Sequence, residues 1–267
     1  MDHLKIRAMV IMEIYAKFKE CSAVTVEGCG VAGGEMYFAL DSAGADVPDA
    51  LAAGARYAVV DASSEIGTAC AGGRLDADVA DRLIVVDDVL KTLQELGRWH
   101  RAMTFVDGKP LTVIAVTGLD RRADAVKEIR EVLSEKYSVT ATEDGQNDGV
   151  GVPLTLLRID SRTKVVLVEL AAGSFGDIKK LVDISLPNYG LITDVDKDDV
   201  HGLGQLYDYL RRTSDKVFLD VDDPVLCRMA SDRNLQSDPE RPYSLLIPYG
   251  TGCPESSAAL AIGAYFD

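Results

Sequence analysis

Residues 4–19 place apolar side chains at helical spacing with Lys and Glu between them, which predicts a surface helix packed on a core. The pattern then shortens. Apolar runs at residues 24–26, 36–40, 56–60 and 83–86 predict strands, separated by a glycine-rich turn from Gly28 to Gly34 and a short helix over 47–54. Residues 63–73 are mostly small and are expected to form a loop. Asp87 and Asp88 precede VLKTLQELGRWHRAM, an amphipathic helix with acids at its positive end. Asp107-Gly108-Lys109-Pro110 breaks the pattern, and the domain boundary is expected there, dividing the chain into residues 1–107 and 108–267.

Strands and helices alternate more regularly in the second half. Strands are predicted at 111–117, 137–141, 164–170, 189–193 and 216–219. Helices are predicted at 120–136, 177–185, 206–212 and 223–230, with a short one beginning at 153–157. Residues 143–151 form a polar, glycine-rich loop and residues 194–204 an acidic one. This alternation implies a mostly parallel, doubly wound sheet with helices on both faces, preceded by a smaller α/β domain.

At 267 residues, 47% hydrophobic and 27% charged, the chain has the composition of a globular protein with real cores. A formal net charge of −15 argues against a nucleic-acid backbone or an anionic membrane surface as main partner. Cys21, Cys29, Cys70, Cys227 and Cys253 are scattered and contain no C-x-x-C, so reduced thiols in a cytoplasmic protein are expected. No apolar stretch is long enough to predict a membrane span.

The candidate chemistry lies in LTVIAVTGLDRRADAVK, residues 111–127. An apolar strand, a Thr117-Gly118 turn and a helix start form the junction where a parallel sheet seats a phosphate, on turn N–H groups and the positive helix end. A phosphate loop wants G-K-[ST] here, and this chain has Arg121, Arg122 and Ala123.

The stretches LIVVDDVLKTLQELGRWHR, LTVIAVTG, SEKYSVTATE, LVELAAGSFGDIKKLVDISLPNYGLITDV and FLDVDDPVLCRMA belong to a longer ordered match over most of residues 36–230. In these stretches the chain resembles the Mur ligases, most closely the branch adding D-alanyl-D-alanine to UDP-muramoyl-tripeptide. The resemblance implies an ATP- and Mg²⁺-dependent ligation through an acyl-phosphate. It also implies a first domain for the UDP-sugar, a central domain for ATP and a third domain, expected here to be absent.

Departures from the family fall on functional positions. The family's T-G-T-N-G-K-T-T aligns with Thr117, Gly118, Leu119, Asp120, Arg121, Arg122, Ala123 and Asp124. Arg122 takes the lysine position with a planar fork in place of a compact ammonium, and Arg121 replaces a glycine. Glu169 matches the family's metal-binding glutamate; a solvent-facing carboxylate is the plain alternative. In the acidic loop Asp199 aligns with the metal-binding histidine and His201 with the glutamate; Asp196, Asp198 and Asp199 together could attract a cation, with a solvated acidic loop as the alternative reading. The segment carrying the carbamylated lysine is missing between Gly204 and Gln205. The uridine-binding S-T-D-T-R-K aligns with residues 25–30, leaving Glu27 as a candidate ribose or base contact and Cys29 at the arginine position. Asn147 is the best-matched substrate contact in the T-E-G-N-L-N-N loop, with a turn role as its alternative.

Three readings follow. The first is an inactive relative that binds a UDP-muramoyl-peptide or a cell-wall-synthesis protein. The second is an active ATP-dependent ligase with an altered nucleotide site. The third is a retained fold without a selected activity.

Overall fold

The structure, a computed structural model, describes residues 3–41, 43–171, 173, 176–196, 199–235, 245–253, 255 and 257–266. Two compact units divide the chain, Met1–His100 and Arg101–Asp267.

The first unit opens with α1 (His3–Phe18), then β1 (Val24–Thr25), β2 (Met36–Phe38), α2 (Val47–Ala52) and β3 (Tyr57–Asp61). It continues through α3 (Glu65–Ala71), α4 (Ala77–Asp81) and β4 (Leu83–Val86) to α5 (Val89–Ala102). The strands form a parallel four-stranded sheet in the order β1-β2-β3-β4. Tyr37, Val47, Ala50, Ala58 and Val60 build its core. The expected loop at 63–73 is largely helical, which corrects that expectation. Ser64 caps α3 by accepting the Gly67 N–H at 3.0 Å, and Glu65 sits in its first turn. Ile66 is the one large apolar residue in α3, so hydrophobic period carried no signal there.

The second unit begins with a hairpin of β5 (Phe105–Val106) and β6 (Lys109–Pro110). Asp107 and Gly108 turn it with φ of 52° and 77°, the positive angles a tight two-residue hairpin requires. There follow β7 (Thr112–Thr117), α6 (Arg122–Ser134), β8 (Val139–Ala141), α7 (Gly151–Leu157), β9 (Val165–Glu169) and α8 (Asp177–Ser185). The unit ends through β10 (Tyr189–Ile192), α9 (Val200–Leu203), α10 (Gln205–Thr213), β11 (Lys216–Asp220), α11 (Pro224–Asp232), β12 (Leu246–Tyr249) and α12 (Ala258–Phe266). The loop expected at 194–204 thus closes in the short helix α9.

Six parallel strands run in the order β12-β11-β10-β7-β9-β8. Period-two alternation in β7 sends Val113 and Ala115 to one face, against Val152 and Leu156 of α7, Leu181 of α8 and Leu206 of α10. Ile114 and Val116 point to the other face, against Val126 and Ile129 of α6 and Ile262 of α12. Both faces are covered, so β7 is apolar along nearly its whole length, as a central parallel strand must be.

Chain order reverses around β7. Its connection runs to α6 on one face, while β9 and β10 connect to α8 and α10 on the opposite face. A crevice therefore opens at the carboxyl ends of β7 and its two neighbours, where open α/β sheets bind ligands.

Candidate functional site

Three chain segments meet at that crevice: the turn after β7, the end of β9 and the residue pair after β10. Thr117 closes β7 fully buried, its hydroxyl donating to the Leu170 carbonyl at 2.8 Å. Gly118 follows with φ of 148°. A Cβ there would lie 2.1 Å from Thr193 Oγ1 and 2.6 Å from Asp194 Oδ1, so only glycine fits.

On the β9 side Glu169 is buried and hydrogen-bonded. Its Oε1 accepts from Arg122 Nε at 3.0 Å and from Asn147 Nδ2 at 2.8 Å. Arg122 also donates from Nη1 to the carbonyls of Gly118, at 3.0 Å, and Leu119. The guanidinium thus folds back on its own turn and on the strand-end carboxylate. Three residues singled out in the sequence, Arg122, Asn147 and Glu169, are brought together as partners of one another.

On the β10 side stands Asp194, which sequence reasoning placed in an acidic loop and gave no role. Its Oδ1 accepts the Leu119 N–H at 3.1 Å and the Arg121 N–H at 3.4 Å, and its Oδ2 accepts the Asp120 N–H at 3.0 Å. The Thr193 hydroxyl adds a fourth donor at 2.6 Å. Arg121 Nη2 donates to the Thr193 carbonyl at 2.6 Å, a second tie between the same segments. Burial pushes the Asp194 carboxyl up, but the Thr193 hydroxyl and the turn N–H groups outweigh it and hold the carboxyl below the usual aspartate range. One signal was available: Asp194 directly follows the strand predicted at 189–193.

The remaining candidates lie elsewhere. Asp199 precedes α9 and His201 lies within it; Lys197 and Asp198 fall outside the described residues. Among the described residues no group of three His, Cys, Asp or Glu side chains gathers as a metal site, so Glu169, Asp199 and His201 are not brought together as one. Glu27, in the first unit, is exposed beside the turn at Gly28–Gly30, its N–H donating to Thr25 Oγ1 at 3.1 Å.

The groups that would meet a magnesium nucleotide are engaged with one another in this arrangement. The turn N–H groups that would take a phosphate already hold a carboxylate, and that negative charge stands where the polyanion would enter. The carboxylate that would take the metal already holds a guanidinium.

A parallel sheet with helices on both faces and a glycine turn at its switch point defines a doubly wound α/β protein. Comparison with known proteins narrows the class. The chain is 32% identical over 176 residues to the UDP-N-acetylmuramoyl-tripeptide--D-alanyl-D-alanine ligase of Synechocystis, covering 64% of this chain and 35% of that protein. A solved ligase of the same kind from Acinetobacter baumannii superposes with a TM-score of 0.69 at 17% identity, over 91% of this chain and 53% of that one. MurF ligase from Thermotoga maritima, solved with ADP, superposes with a TM-score of 0.61 at 20% identity, over 86% and 51%. No family model matches the chain. In sequence the chain is MurF-like, and its fold is that of the Mur ligases. It spans about a third of the length of the Synechocystis relative and about half of the solved structures. Among the described residues no helix is long and apolar enough to cross a membrane.

Proposed function

We propose that this chain is a MurF-like protein of peptidoglycan precursor synthesis that does not carry out ATP-driven ligation, and that it acts in the cytoplasm by binding a UDP-muramoyl-peptide or a cell-wall-synthesis protein. The observation that carries this reading is the Arg122–Glu169–Asn147 cluster. The residues matched to the family's phosphate lysine, metal glutamate and substrate asparagine satisfy one another within hydrogen-bond distance. Phosphoryl transfer needs those groups aimed at phosphate, metal and substrate. In the N-terminal domain expected from the sequence, residues 1–107, Glu27 is the candidate contact for the UDP-sugar.

The second reading is an active ligase with an altered nucleotide site, favoured by two arginines, Arg121 and Arg122, at the crevice. Calorimetric titration with Mg-ATP, with UDP-muramoyl-tripeptide in the cell, separates the two. No heat and no ADP release, together with a thermal shift by UDP-muramoyl-tripeptide alone or a captured cell-wall enzyme, supports the binding role. Micromolar Mg-ATP binding that is lost in Arg122→Ala, with ADP released, sinks it in favour of the ligase.

A further inference from the structure

We infer that Asp194 closes the crevice from within, its carboxylate serving as the anion that orders the β7–α6 turn in place of a bound ligand. The inference deepens the nucleotide-free reading above and rests on it.

The turn presents three consecutive N–H groups, from Leu119, Asp120 and Arg121, just ahead of the positive end of α6, a helix of 13 residues. Such a set of convergent donors is an anion-binding nest. Here one carboxylate takes all three, using both of its oxygens. The acid comes from a different strand, not from the turn itself, so sheet order places it there. Strand β10 pairs with β7 in register, Ile192 opposite Thr117, which brings the next residues of each strand side by side at the sheet edge.

Two further features show that the carboxylate is built in. The Thr193 hydroxyl holds Oδ1 at 2.6 Å, fixing the acid on its second side. The Gly118 backbone lies so close to Thr193 and Asp194 that even a methyl group would collide with both. An oxyanion ligand therefore has to displace the Asp194 side chain to reach the turn. Arg121, tied to the Thr193 carbonyl, and Arg122, tied to Glu169, are both engaged in the closed arrangement.

Amide hydrogen exchange on the full chain tests this, comparing wild type with Asp194→Ala and with the isosteric Asp194→Asn, each with and without inorganic phosphate at constant ionic strength. In wild type the 119–121 amides are protected and phosphate leaves them unchanged. In Asp194→Ala their protection falls by at least about tenfold while β7 and β10 stay protected, and phosphate restores it. Asp194→Asn, which keeps the shape without the charge, falls between the two and stands in if the alanine variant does not fold. Unchanged protection in the variants, failure of phosphate to restore it, or equal protection of wild type by phosphate each overturns the inference. Any of these results alongside absent Mg-ATP binding sinks the internal anion alone. Mg-ATP binding to wild type sinks the nucleotide-free reading itself.

Discussion

The Arg122 guanidinium and the Glu169 carboxylate meet at 3.0 Å between the first turn of α6 and the end of β9. Glu169 is 7% exposed, and this partner and Asn147 supply its side-chain hydrogen bonds. Removing the guanidinium leaves a nearly buried carboxylate short of a donor. Arg122→Ala is expected to lower unfolding stability by about 1–3 kcal/mol in urea denaturation. The Arg122→Ala/Glu169→Ala double mutant should be less destabilised than the sum of the singles by more than about 0.5 kcal/mol. Strict additivity would show that the pair carries no coupling. Arg122→Lys, though it restores the family's residue, is expected not to create Mg-ATP binding, because Asp194 still holds the turn.

Gly118 is constrained twice, by φ of 148° and by the approach of Thr193 and Asp194. Gly118→Ala is expected to cost about 3–5 kcal/mol, summing backbone strain and overpacking. Gly145 supplies the contrast, with φ of 78° and open space where its Cβ would point. Gly145→Ala should cost only about 1–2 kcal/mol. Equal losses at the two positions would remove close approach as the constraint on residue 118.

Asp194 predicts a particular acid dependence. Burial raises its carboxyl, and the bonds from Thr193, Asp120, Arg121 and Leu119 together lower it further than burial raises it. A carboxyl depressed in the folded state adds stability above its unfolded value, about 3.9, and loses it as pH falls through the folded value. The stability advantage of wild type over Asp194→Asn should therefore be full near neutrality and shrink below about pH 4. Parallel pH–stability curves for the two proteins would contradict the depressed carboxyl.

Tyr207 on α10 is fully buried, and its hydroxyl has no hydrogen-bond partner among the described residues. Tyr207→Phe removes an unsatisfied polar group without changing ring packing. The expected result is unchanged stability or a gain of up to about 1 kcal/mol. A loss of that size instead would mean that the hydroxyl has an acceptor in solution.

Much of the sheet was legible because its signal is local. The apolar runs at β7, β9 and β10 and the amphipathic pattern of α5 and α8 carry their own period, and both ends of α8 match the expected residues 177–185. The helix α3 was missed because its stability comes from a cap and from context, not from an apolar stripe. Its Gly67 lies 2.2 Å, measured from an ideal Cβ, from the Asp61 carbonyl, a closeness no periodicity encodes. Glu169, Asn147 and Arg122 were each picked out singly, but as contacts to phosphate, metal and substrate.

The sequence by itself determined the strand–helix alternation, the Mur ligase resemblance and the replacement of a phosphate loop's lysine and glycine by arginines. Only the tertiary structure decided what those replacements touch. Arg122 and Glu169 are 47 residues apart, and Asp194 is 75 residues from Leu119. Hydrophobic period is read over a few neighbouring residues. The pairing of charges at a sheet edge depends on strand order and register, which bring the ends of β9 and β10 to either side of the β7 turn.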